Sequence, residues 1–75
     1  MTRLPTLNAR KVIQALKRAG FVETRQHRSS HLYLANSAKN LETCAPIHGG
    51  DLGRSLVRAI IHQAGLTEEE FRNLL

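Results

Sequence analysis

The residues with the most chemical potential lie near the middle of the chain, in the stretch Q-H-R-S-S-H-L-Y-L, residues 26–34. His31 follows two serines, and Arg28 stands just upstream. An imidazole takes up and releases protons near neutral pH, so it can act as general acid or base. Ser29 and Ser30 have no acidic residue nearby to complete a nucleophilic triad. A histidine among cations instead suits cleavage of an RNA phosphodiester. There the substrate supplies its own nucleophile, the 2′-hydroxyl, and the protein supplies a proton carrier and positive charge. The rival reading makes His31 an ordinary polar strand residue.

The other histidines give no comparable pattern. His27 lies across the hairpin tip from His31, His48 follows a strand beside Gly49, and His62 sits in a helical stretch. No carboxylate or thiol stands at ligand spacing among them, so neither a metal nor a cofactor is expected. His48 reads as a turn or capping residue. Arg54, Arg58 and His62 recur every four residues and share one helical face. That face reads equally as a phosphate-binding stripe or as a solvated surface.

Composition narrows the function further. The 75 residues carry 11 Lys and Arg against 6 Asp and Glu, net +5, and three of the acids are Glu68, Glu69 and Glu70. The first 67 residues therefore hold 10 basic and 3 acidic residues. Such an imbalance draws polyanions. A chain this short forms one domain, here 1–75, that buries only about 60% of its unfolded surface. Any active site must be shallow. The single cysteine, Cys44, cannot close an internal disulfide. No apolar run reaches membrane length and no signal-peptide core opens the chain, so a cytoplasmic setting is expected.

The elements that must position these residues follow from pattern. Asn8 is a helix N-cap, with Leu7 and Val12 as its hydrophobic staple. Ala9, Val12, Ile13, Leu16 and Ala19 form one apolar face, and Arg10, Lys11, Gln14, Lys17 and Arg18 the other. Gly20 and Phe21 suit a Schellman ending. F-V-E-T-R-Q-H, H-L-Y-L-A-N and L-E-T-C-A-P-I read as three strands. In the second, Leu32 and Leu34 point one way, and His31 and Tyr33 the other. R-S-S or H-R-S-S reads as a hairpin tip, and N-S-A-K-N as a second polar connection. Pro46 requires an edge or a strand end. H-G-G-D ends the sheet, with Asp51 expected to cap a helix whose apolar stripe is Leu52, Leu56, Ala59, Ile60 and Ala64. Gly65 and Leu66 end it. Thr67 and Glu70 form a capping box, with Leu66 and Phe71 as staple, for a short last helix. The expected architecture is α+β: two helices on one face of a three-stranded antiparallel sheet.

With these residues in view, the chain resembles the HicA toxin family of toxin–antitoxin pairs. The resemblance is carried by H-R-S-S-H-L-Y-L, by A-P-I-H-G-G-D-L-G-R-S-L-V-R-A-I-I-H-Q-A-G-L-T-E-E-E-F, and by A-G-F-V-E-T-R-Q. It implies a double-stranded-RNA-binding-like fold, mRNA cleavage independent of the ribosome, and neutralisation by a HicB-type antitoxin. The family's catalytic histidine maps onto His31, and its hairpin glycine onto Arg28 or Ser29, depending on alignment. With that role assigned, Arg28, Lys39, Arg54 and Arg58 are the candidate phosphate contacts, and Tyr33 a candidate for stacking or positioning a base. The alternatives are a noncatalytic RNA-binding module of the same fold, and an interaction protein whose basic surface serves an acidic partner.

Overall fold

The cap at Asn8 starts the first helix as its sequence dictates. Its Oδ1 accepts from the backbone N–H of Lys11 at 3.0 Å, and α1 runs over Ala9–Arg18. The structure, a computed structural model, describes residues 4–26, 30–47 and 49–75, with only the backbone described at Arg25 and Gln26. Helix α1 ends in the expected Schellman turn. Gly20 takes φ +101°, its N–H donates to Lys17 O, and the N–H of Phe21 donates to Leu16 O. Only a residue without Cβ adopts that φ without strain.

Three antiparallel strands follow in spatial order β2-β3-β4: β2 Val22–Gln26, β3 His31–Asn36 and β4 Leu41–Pro46. The turn from β3 to β4 uses Asn40 at φ 55° and is stitched by Asn36 Oδ1, which accepts from the N–H of Lys39 at 3.3 Å. Asparagine tolerates that left-handed backbone better than most residues. Alternation along β3 and β4 buries Leu32, Leu34, Asn36, Thr43 and Ala45 on one face. Helices α1 and α2 (Arg54–Gln63) both pack on β4. The core between these layers is almost wholly aliphatic, and among the described residues Phe21 and Phe71 are its only buried rings. The short α3, Glu68–Arg72, carries the capping box between Thr67 and Glu70.

Two expectations fail at the start of α2. Asp51 is not its cap. Asp51–Leu52 forms a two-residue strand, β5, paired antiparallel with Leu7–Asn8, which is β1. Leu52 must stay in the core opposite Leu7, so the chain remains extended and the cap falls to Gly53, which offers no side-chain hydrogen bond. The apolar stripe is also rotated. Val57, Ile60, Ile61 and Ala64 are buried, whereas Leu56 is 41% exposed and Ala59 faces solvent. The pairs Leu56-Val57 and Ile60-Ile61 allow two rival stripes, and packing against β4 selects the second.

Candidate functional site

Strand β3 is the central strand, so what it carries on its outer face lies in the middle of the open side of the sheet. His31, Tyr33 and Ala35 occupy that side, opposite the buried Leu32, Leu34 and Asn36. Their Cα partners on β4 are Pro46, Cys44 and Glu42. His31 is exposed at the first position of β3, and Tyr33 is half-buried two residues on, about 7 Å along the strand. This is the alternation expected from H-L-Y-L, and it places the imidazole away from the core.

A feature that sequence reasoning missed lies beside Tyr33. The pairing of β2 with β3 shifts register between Glu23 and Arg25, leaving Thr24 as a bulge whose Oγ1 donates to the carbonyl of Tyr33 at 3.2 Å. Arg25 thereby becomes the Cα partner of Tyr33. Bulges sharpen the local twist and re-aim neighbouring side chains. Nothing in F-V-E-T-R-Q marks it, because no glycine is needed for the irregularity.

The candidate phosphate contacts are scattered. Arg28 lies outside the described residues, as do His27, Ser29 and His48, so the hairpin-tip reading of that stretch also lies outside them apart from Ser30. Lys39 sits in the β3–β4 turn, at the far end of β3 from His31, where its charge helps hold the Glu70 carboxyl below the usual range. The larger causes of that lowering are the backbone N–H and then the hydroxyl of Thr67. On α2, Arg54 donates from Nε to the carbonyl of Leu4 at 2.8 Å, and Arg58 donates from Nε to Glu68 Oε2 at 3.1 Å. With His62 they are exposed on that helix, but each arginine is already engaged. Among the described residues no three His, Cys, Asp or Glu side chains converge as a metal site. No helix formed by them is long and apolar enough to cross a membrane.

A search of curated proteins returns no match. The family model for the HicA toxin of bacterial toxin–antitoxin pairs matches residues 9–66, from the start of α1 to the leucine that follows Gly65. That span includes α1, all three strands of the larger sheet and α2. A match over more than three-quarters of the chain, on an α+β frame of the expected topology, makes this protein a member of the HicA toxin family.

Proposed function

We propose that this HicA-family toxin is an endoribonuclease, an mRNA interferase with His31 as its general acid or base, acting in the cytoplasm and neutralised by a HicB-type antitoxin protein. The observation that carries the reading is the position of His31: exposed, on the open face of the sheet, at the end of its central strand. In the reaction the RNA 2′-oxygen attacks the adjacent phosphorus while the P–O5′ bond breaks. One proton must leave the 2′-hydroxyl and one must reach O5′, and an imidazole beside the phosphate can carry either. No deep pocket is required, because nucleophile and electrophile belong to the same substrate.

Tyr33 presents an aromatic group one pleat from His31, where a base flanking the scissile bond can stack. Arg28, three residues before His31, is the nearest cation in sequence to the imidazole. Arg54 and Arg58 would reach phosphate through the guanidinium nitrogens other than Nε, and Lys39 would meet a strand long enough to run the length of β3.

Incubating the purified protein with a mixed-sequence single-stranded RNA tests the proposal. Cleavage that is blocked by a 2′-deoxy substitution at the scissile nucleotide, and that stops on addition of the antitoxin, is the expected result. Binding without turnover would favour the noncatalytic module. Inhibition by the antitoxin with cleavage unaffected by the 2′-deoxy substitution would overturn the nucleophile assignment.

A further inference from the structure

The cations of this domain divide into those with partners inside the fold and those without. Lys17 pairs with Glu23, Arg18 donates to the carbonyl of Leu74 at 2.6 Å, Arg54 holds Leu4, and Arg58 faces Glu68. Among the other described cations, Lys39 acts on the Glu70 carboxyl and Arg72 stands in the last turn of α3, where a positive charge suits the helix dipole, whereas Arg10 and Lys11 have neither role. Both are exposed on the first turn of α1, that turn contains no acidic residue, and among the described residues neither is in contact with a carboxylate. At that end of a helix a positive side chain opposes the backbone dipole, so both residues weaken the helix they stand on. Fold stability gives no reason for two adjacent cations there.

Arg10 also stands at a groove that leads to the end of the sheet where His31 lies. One wall is the side of α1 with Arg10, Ile13 and Gln14, and the other includes Leu32 and Ile47. Leu32 follows His31 in β3. Ile47 follows Pro46, the Cα partner of His31, and its N–H donates to the carbonyl of Ser30. Arg10 and the imidazole therefore lie at the same end of β3 but on opposite faces of the sheet, and Lys11, one residue on, borders a separate groove with Pro5, Thr6 and Arg18.

We infer that the outer face of α1, through Arg10 and Lys11, holds the RNA phosphate backbone flanking the bond presented to His31. This rests on the proposal that the chain acts on RNA. A shallow sheet face gives little purchase on a flexible strand, so affinity must come from phosphate contacts beyond it, and charge complementarity places them on cations the fold does not use. An acidic protein surface is the other occupant such charges could take.

The test uses His31→Ala protein, so that the RNA remains intact, and a labelled short single-stranded RNA titrated across a range of salt concentrations. Arg10→Gln combined with Lys11→Gln should lower the log–log salt slope by about 1.4, from about 0.7 per lost contact, and weaken binding about tenfold or more near 0.1 M salt. The melting temperature should hold or rise, because the dipole conflict is removed. Arg58→Gln should change the slope less. An unchanged slope and affinity in the double variant would overturn the inference, as would weakened antitoxin binding with RNA binding intact. If the His31→Ala protein binds no RNA, the RNA reading falls and this inference with it. If RNA is bound through α1 but parental protein never cleaves it, the nuclease proposal alone fails.

Discussion

Gly65 stands against Leu41 so closely that a Cβ on the glycine would lie 2.8 Å from Leu41 Cδ1. The contact joins the turn after α2 to the first residue of β4. The methyl at the end of Leu41 can swing aside, but the backbone at Gly65, φ +72°, cannot relax without breaking the bonds from Gly65 N–H to His62 O and from Leu66 N–H to Ile61 O. Gly65→Ala should therefore destabilise the domain by about 1 kcal/mol, chiefly through backbone strain. Thermal or urea unfolding measures this, and an unchanged midpoint would refute the left-handed assignment.

Arg54 ties the N-terminal segment to α2 through the carbonyl of Leu4, a residue wholly buried in the core. Arg54→Ala should cost about 1 kcal/mol of stability. It should also speed amide exchange in the pairing of Leu7 and Asn8 with Asp51 and Leu52 more than in the three-stranded sheet. If the side chain served phosphate alone, exchange in that pairing would not change.

Acid should weaken the last helix. The Thr67 backbone N–H and hydroxyl, followed by the charge on Lys39, hold the Glu70 carboxyl below its ordinary value of 4.5. Because the folded-state value is depressed, its contribution is fully present above the unfolded value and disappears as pH falls through the folded one. The difference in melting temperature between the parent and Glu70→Gln should thus shrink as the solution is acidified below about pH 4.5. A constant difference across that range would contradict the role given to the charge.

Much of this fold was legible in the residues. Asn8, Gly20, Gly65, Thr67 and Glu70 each satisfy a local backbone requirement that few residue types meet, so both ends of α1, the end of α2 and the start of α3 could be placed from sequence, whereas the start of α2 could not. Alternation in H-L-Y-L placed His31 and Tyr33 on the open face because Leu32 and Leu34 must be buried. What could not be read depends on distant parts of the chain. The pairing of Leu7–Asn8 with Asp51–Leu52 is too short to show a period, and the choice between Leu56 and Val57 as the buried residue is made by β4. The scatter of the cations has the same origin. Arg54 and Arg58 look alike in sequence, and only tertiary structure gives one a carbonyl and the other a carboxylate.

The most direct measurement is the rate of RNA cleavage by His31→Ala protein whose melting temperature matches the parent. His31 is exposed and off the core, so its removal should leave the fold intact. If the imidazole moves a proton in the transition state, cleavage should fall by roughly 10²–10⁴-fold while RNA affinity changes little. A folded His31→Ala protein that cleaves at the parental rate would remove His31 from the chemistry and contradict the account.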